Sequence, residues 1–230
     1  GLAPLHNWLP DAHSQAPSLV SALLSGALLN CAMLGMLRGH QIMLAAGLGG
    51  ISSGMLTVLG LLSLATAAIF IVGQGHYKRM LAYSSVENMG LMVLGLGAGL
   101  VGQANGNAWI AVLGFGGALL HMCNHAAFKG LLFLCAGEVL HATGTVRMPL
   151  LGGLQRRLPL LGAFFAVGAA AIACLPPLNG FTGELALALA LLDAPTLSGV
   201  ERQMGLLLAL AGLAAISGLA AALYAQAYGI

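Results

Sequence analysis

Residues 108–140 read AWIAVLGFGGALLHMCNHAAFKGLLFLCAGEVL, an apolar stretch that is interrupted by two histidines, a lysine and a late glutamate. As one straight helix it would be about 50 Å long, at 1.5 Å per residue. The hydrocarbon core of a bilayer is only about 30 Å thick. We therefore expect a membrane helix that tilts, protrudes or breaks, and Gly114-Phe-Gly-Gly117 is a candidate break.

The composition of the whole chain supports a membrane location. Of its 230 residues, 59% are hydrophobic and 6% are charged, and the mean hydropathy is +0.95. A soluble domain carries about 25% charged residues, so this chain has too few to cover a surface in water. The net charge of +2 is too small to suggest nucleic acid as a partner.

The apolar segments predict an all-α integral membrane protein of about six transmembrane helices, two of them discontinuous. We interpret residues 1–230 as a single, incomplete transporter domain, the interior of a longer protein. The predicted spans are about 16–37, 45–73, 82–101, 108–140, 158–192 and 205–229.

The fifth predicted span contains the stronger break signal, Leu175-Pro-Pro-Leu-Asn-Gly180. The two prolines remove backbone donors, and the glycine lets the chain turn. Irregular backbone at membrane depth is tolerated only inside protein or beside a water-filled cavity. Transporters place ion sites at such broken helices.

The distribution of Lys and Arg predicts the orientation. The N-terminus and the ends of the second and fourth spans share one side, which holds five of these residues, whereas the other side holds Arg38 and Arg202. Cytoplasmic loops carry the excess of positive charge, so we expect both ends of the chain in the cytoplasm. The five residues are Lys78, Arg79, Arg147, Arg156 and Arg157.

The fourth span contains the candidate functional residues His121, His125 and Lys129. Their i, i+4, i+8 spacing places them on one helix stripe over about 12 Å of axis. A lysine near the centre of a membrane costs about 2.5–3.5 kcal/mol on insertion scales, and histidine titrates near neutrality. The line is suited to proton transfer, although a polar seam between helices remains the alternative. Haem is disfavoured because both histidines lie on one helix.

Two carboxylates join this candidate proton path. Glu184 follows the break, where it can exchange protons with a wet cavity or simply start the resumed helix. Glu87 lies about a turn inside the third span, where it can pair with a nearby cation or lie at the interface. We interpret Lys78 and Arg79 as topological anchors.

No metal or cofactor is expected. The four cysteines stand singly in apolar stretches with no Cys-x-x-Cys pair, which disfavours zinc or iron–sulfur ligation. Glu138 and His141 fall on the opposite side of the helix from the His–His–Lys line, so we leave them out of the path.

Several motifs together resemble the antiporter-like subunits of respiratory complex I, of multisubunit sodium/proton antiporters and of membrane-bound hydrogenases. Within this family the chain most resembles subunits of hydrogenase-4 and formate hydrogenlyase. The motifs are Pro4-Leu-His-Asn-Trp-Leu-Pro-Asp-Ala-His13, Lys78-Arg-Met-Leu-Ala-Tyr-Ser-Ser85, His121-x-x-x-His125-Ala-x-Phe-Lys129 and Leu175-Pro-Pro-Leu-Asn-Gly-Phe181.

The resemblance implies a fold with two inverted repeats, each containing a broken helix, of which this chain covers the second half. It implies that His121, His125 and Lys129 match the proton path and that Glu184 matches its terminal acid. Many relatives carry a lysine where this chain has Asn30. The resemblance therefore does not imply a lysine that joins this half-channel to the first one.

We therefore expect a proton-translocating subunit of a redox-driven complex, of the hydrogenase-4 or NADH:quinone oxidoreductase type. It would hold no redox centre and would work with other membrane and peripheral subunits in the bacterial inner membrane. Alternatives are a cation/proton antiporter subunit without redox coupling, with Na⁺ as a further ion, and a purely structural membrane subunit.

Overall fold

The computed structural model describes residues 1–228, except the side chains of residues 216, 220, 223 and 225–228. Over this range the chain forms helices and connecting turns, and no β-strand is present. The α-helices in chain order are α1 (Trp8–Gln15), α2 (Ser18–Leu23), α3 (Leu29–Ala45), α4 (Gly49–Ile71), α5 (Tyr77–Ala104), α6 (Ala108–Thr143), α7 (Leu154–Arg157), α8 (Pro159–Ile172), α9 (Asn179–Leu192) and α10 (Val200–Tyr228).

Five helical stretches are long and apolar enough to cross a membrane, which confirms the predicted fold class. The first joins α2 to α3 through a π-helical turn, Leu24–Leu28. The fifth predicted span, 158–192, is divided between α8 and α9, which have 14 residues each. Residue 229 of the predicted last span lies outside the described residues. The spanning stretches are Ser18–Ala45, Gly49–Ile71, Tyr77–Ala104, Ala108–Thr143 and Val200–Leu219.

The predicted break in the fourth span was wrong. α6 runs without interruption through Gly114-Phe-Gly-Gly117 as a helix of 36 residues. Its glycines serve close packing: a Cβ at Gly114 would lie 2.6 Å from the Gly99 nitrogen of α5. A Cβ at Gly117 would lie 3.0 Å from the Leu187 side chain of α9. No proline removes a donor here, so the helix has no reason to end.

The broken helix lies where the prolines predicted it. α8 ends at Ile172, and α9 begins at Asn179. Between them Cys174 adopts a left-handed backbone conformation, with φ of 53°. A Cβ at Gly180 would run into the Ala171 carbonyl oxygen, so only glycine lets α9 start this close to the end of α8.

α5 is the central helix of the bundle, and 94% of its apolar window is buried inside the protein. Its approach to α4 is close because glycines face each other. A Cβ at Gly60 would lie 2.9 Å from the Gly90 oxygen. Polar residues on α5, including Glu87 and Asn88, are therefore held inside the protein and away from lipid.

Contacts between loops define the two ends of the bundle. At one end the Tyr77 amide donates to the Val146 carbonyl at 2.9 Å, and Arg79 pairs with Asp11 at 3.3 Å. At the other end Asn107 Nδ2 donates to Asp193 Oδ2 at 2.8 Å. These contacts agree with the predicted grouping of loops on two sides.

Candidate functional site

The three predicted residues of α6 form a buried line. His121, His125 and Lys129 are each 0% exposed, and the regular α-helix keeps their i, i+4 spacing intact. Because α6 packs between α5 and α9, the line faces protein instead of lipid. Each member therefore depends on neighbouring helices for its polar partners.

Lys129 is bound to the turn of α5 that precedes Glu87. Its Nζ donates to the Leu81 carbonyl at 2.8 Å and to Ser84 Oγ. Ser84 Oγ also lies 2.6 Å from the hydroxyl of Tyr224 on α10. The amine, which carries three donors when charged, is thus bound by α5, and α10 supports it through Ser84.

Glu87 is the carboxyl group nearest in sequence to this turn. It is 9% exposed and interacts electrostatically with Lys129 and with Glu184. Glu87 and Lys129 do not form a direct ion pair. Among the described residues, the ion pair present is Arg79–Asp11. Glu87 is therefore a buried group inside the bundle and not an interfacial one.

His121 is connected to α5 by a hydrogen bond. Its Nε2 donates to Asn88 Oδ1 at 2.8 Å, and Asn88 Nδ2 donates to the Ser84 carbonyl at 2.7 Å. His121 Nδ1 has no hydrogen-bond partner within the described structure. This nitrogen can accept a proton or a water, and the backbone of Gly180 at the start of α9 also interacts with the ring.

The α9 backbone fixes the position of His121 from the other side. A Cβ at Gly183 would lie 2.8 Å from the Cβ of His121. Asn124, one turn along α6, donates from Nδ2 to the Asn179 carbonyl at 2.7 Å. The first turn of α9 is thus held against the middle of α6, which brings the broken helix to the histidine line.

A small cavity lies between α5 and the broken helix. It offers about 20 Å³ to the centres of water molecules, which is room for about one water. Glu184 accepts a hydrogen bond from Ser217 of α10 at this cavity. The two predicted acids therefore share one polar space, and its polar lining comprises Glu87, Asn88, Cys174, Glu184 and Ser217.

His125 has no hydrogen-bond partner at either ring nitrogen in the described part of the chain. Its ring meets the edge of Phe128 with centroids 5.5 Å apart. It interacts electrostatically with Lys129, His121 and His13. A buried imidazole with two free nitrogens is costly unless it gains a partner, which water can supply.

His13 is a buried residue of this site that the sequence reasoning missed. It lies on α1, is 0% exposed, and donates from Nδ1 to the Leu9 carbonyl at 2.9 Å. Its Nε2 has no partner within the described residues. The signal was present, because Leu9 and His13 stand at i and i+4 on the buried face of a short amphipathic helix.

Burial determines the charge state of His13, which lies on α1 outside the membrane-spanning helices. Burial, and to a smaller extent the positive charge of Lys129, lower the pKa of His13 to about 4, although the Leu9 carbonyl opposes this. The side chain is therefore neutral near pH 7, with one acceptor nitrogen available next to the histidine line.

Other residues of the sequence analysis lie apart from this line. Glu138 and His141 are exposed, in agreement with their exclusion. Lys78 is buried and donates to the Ala16 carbonyl, so it joins the start of α5 to the start of α2. The Asn30 side-chain oxygen has no partner within the described residues.

The site offers no evident place for a metal ion. Over the described residues, no group of three or more His, Cys, Asp or Glu side chains converges in a way that would hold one. Buried imidazoles, an amine and two carboxylates can accept and release protons. Proton transfer is the chemistry that this arrangement fits.

Comparison with known proteins identifies the family. The chain belongs to the NADH:quinone oxidoreductase/Mrp antiporter transmembrane family, whose model matches residues 1–208. It is 37% identical over 231 residues to hydrogenase-4 component B of Escherichia coli (strain K12), a match that covers 100% of this chain and 34% of that protein. It is also 37% identical over 231 residues to formate hydrogenlyase subunit 3 of the same strain, covering 100% of this chain and 38% of that subunit. The chain thus spans about a third of these curated relatives.

Chains of this fold are present in solved structures of three complexes. A chain of respiratory complex I from Thermus thermophilus matches with a TM-score of 0.73 and 27% identity, covering 99% of this chain and 44% of that one. A chain of an archaeal membrane-bound sulfane sulfur reductase matches with a TM-score of 0.78 and 25% identity, covering 98% and 42%. The Mrp complex of Dietzia sp. DQ12-45-1b matches with a TM-score of 0.79 and 23% identity, covering 100% and 39%, which supports the fold alone.

Proposed function

We propose that this chain conducts protons as part of a membrane subunit in a redox-driven complex. The observation that carries the proposal is the fully buried line His121–His125–Lys129 on an uninterrupted helix. Beside this line lies the cavity that Glu87 and Glu184 share, and Asn88, which lines the cavity, is hydrogen-bonded to His121. Buried ionisable side chains in a membrane helix are expensive. Three of them in line on one helix, with further ionisable residues on the helices packed against it, therefore favour a functional role over helix adhesion.

The proposed route has two ends. At the broken helix, Glu184 and Glu87 exchange a proton through water in their common cavity, and Asn88 aligns His121 beside it. Lys129 then holds a proton in the middle of the bundle, where its amine is bound by Leu81 and Ser84. His125, between His121 and Lys129, has two free ring nitrogens, and towards α1 the free nitrogen of His13 continues the line.

The proposed setting is a multisubunit assembly in a bacterial inner membrane. Relatives of this chain include subunits of hydrogenase-4 and of formate hydrogenlyase, which supports other membrane and peripheral subunits as partners. In this proposal the electrons stay in those partners, and the chain carries H⁺. The end of the bundle with five Lys and Arg residues faces the cytoplasm.

The test is Lys129→Ala in the assembled complex, with proton uptake into inverted vesicles measured by a pH-sensitive dye. We expect the rate of proton pumping to fall at least about tenfold, which corresponds to an increase of about 1.4 kcal/mol in the activation barrier. Arg38→Ala is the control. Arg38 lies at the end of the bundle opposite the five Lys and Arg residues, where it is exposed and hydrogen-bonded to Gln41. Unchanged pumping with Lys129→Ala would favour the structural reading, in which the line only joins helices. Pumping that requires added Na⁺ would favour the antiporter reading.

A further inference from the structure

An apolar groove opens at the arginine-rich end of the bundle, away from the buried histidine line. Its walls come from α5, α6, α8 and the segment before α8. It offers about 60 Å³ to the centres of water-sized molecules. Residues that shape it include Tyr77, Cys135, Val139, Leu158, Leu161 and Phe165.

A tyrosine hydroxyl in this groove has no protein partner. Tyr77 is 6% exposed, and its hydroxyl makes no hydrogen bond within the described residues. Its backbone is fixed by the bond to the Val146 carbonyl at 2.9 Å, and its ring packs on Phe165 with centroids 5.6 Å apart. A buried hydroxyl without an acceptor is destabilising, so an acceptor on a bound molecule would stabilise this side chain.

The segment before α8 carries positive charge only, and the α6 wall of the groove adds one acid, Glu138, next to Val139. Arg147, Arg156 and Arg157 lie next to groove residues in sequence and are exposed. No aspartate or glutamate occurs between Glu138 and Glu184 to neutralise them. Basic clusters of this kind at the end of membrane helices attract anionic lipid headgroups.

We propose that this groove binds an anionic phospholipid. One acyl chain lies along the apolar wall formed by Leu158, Leu161 and Phe165, and the phosphate lies against Arg156 and Arg157. An ester carbonyl at the junction accepts the hydrogen bond of Tyr77. Each part of the ligand thus meets a matching part of the protein: apolar wall, hydroxyl donor and cationic rim. The bound lipid would fix the segment 148–158 against α6.

Native mass spectrometry of the purified protein with phosphatidylglycerol and phosphatidylcholine measures this binding. We expect the wild type to retain one phosphatidylglycerol several-fold more than phosphatidylcholine. Arg156→Gln with Arg157→Gln should remove that preference, and Tyr77→Phe should weaken retention less. Arg38→Gln with Arg202→Gln, at the opposite end of the bundle, removes the same charge, is the matched control and should bind as the wild type does. Equal retention of the two lipids by the wild type would overturn the proposal.

A second measurement separates the groove from general attraction to the arginines. Trp8 and Trp109 are replaced by Phe, and a tryptophan is introduced as Leu161→Trp inside the groove. Phosphatidylglycerol with a brominated acyl chain should quench this tryptophan more than brominated phosphatidylcholine does. A tryptophan introduced as Leu208→Trp, at a lipid-facing position of α10, should be quenched equally by both. Equal quenching of the tryptophan at position 161 by the two brominated lipids would show that the groove does not select an anionic headgroup, and it would contradict the proposal.

Discussion

α6 and the α8–α9 pair are two apolar segments of similar length that the chain uses in opposite ways. Each is longer than a bilayer requires, and each carries ionisable residues of the candidate path. α6 continues through its glycines for 36 residues, whereas the other segment stops before Pro176 and Pro177 and starts again at Asn179.

The difference shows which residues interrupt a helix inside a membrane protein. Gly114 and Gly117 keep their amide donors, and their lack of a side chain lets α5 and α9 approach. Proline removes a donor and cannot continue the hydrogen-bond ladder. The continuous helix therefore supplies a regular line of side chains, and the broken helix supplies a cavity with a carboxylate opposite that line.

The largest expected effect comes from removing the acid at the break. Glu184→Gln keeps the size of the side chain and its capacity to accept from Ser217, but an amide does not bind and release a proton near neutral pH. We expect at least a tenfold loss of proton pumping in vesicles, about 1.4 kcal/mol in the barrier. Glu138→Gln, exposed on α6, should pump normally. Wild-type pumping by Glu184→Gln would remove the broken helix from the path.

A second prediction concerns His13 on α1, which lies beside the α6 line. Because burial lowers the pKa of His13 to about 4 from 6.5, the unfolded chain takes up a proton at higher pH than the folded one. Above pH 6.5 His13 contributes no pH dependence to the free energy of unfolding. Between pH 6.5 and 4 it should destabilise the fold by up to about 3 kcal/mol.

Unfolding in detergent mixtures across this pH range measures the effect. His13→Phe should flatten the pH dependence of the unfolding free energy, and His141→Gln, at an exposed position, should leave it unchanged. A curve for His13→Phe parallel to that of the wild type would show that His13 is not buried as the structure has it.

The role of the α6 glycines gives a third prediction. Gly114→Ala should destabilise the protein by about 1–3 kcal/mol through overpacking, because its Cβ would meet the backbone of Gly99. Gly116→Ala has nothing within 4 Å of the new Cβ and should be neutral or slightly stabilising. Equal changes in stability for Gly114→Ala and Gly116→Ala would contradict a packing role of Gly114 against α5.

The mildest test maps the two ends of the bundle. Single cysteines at positions 75 and 147 should react with an impermeant thiol reagent from one side of the membrane, in a background without native cysteines. Cysteines at 105 and 196 should react from the other side. We predict that the side of 75 and 147 is cytoplasmic, because five of the seven non-central Lys and Arg residues lie there. Reaction of 75 and 105 from the same side would contradict the arrangement.

Much of this architecture could be predicted from local signals. Apolar length gave the spans, and Pro176-Pro177 gave the break. The spacing of His121, His125 and Lys129 predicted their common face. The integrity of α6 was not predictable in this way, because whether Gly114 bends or packs depends on a partner helix distant in sequence.

The candidate site was predicted as a set of residues but not as an arrangement. Their assignment to a proton path is still a prediction. Neither Asn88 as the partner of His121 nor the cavity between Glu87 and Glu184 is visible in the sequence, since each depends on how α5 and α9 meet α6. His13 was not predicted as part of the site, because the i, i+4 pair on the short helix α1 indicates a buried face but not which helices cover it.

The most direct test of the central claim is proton pumping per electron transferred in Lys129→Arg, measured in the assembled complex. Arginine keeps a positive charge and several donors for Leu81 and Ser84, but guanidinium does not lose its proton in the working range. If Lys129 cycles a proton, the variant should assemble and transfer electrons while its proton-to-electron ratio falls towards that of Lys129→Ala. A wild-type ratio in an intact Lys129→Arg complex would contradict the claim and leave Lys129 with a fixed electrostatic role.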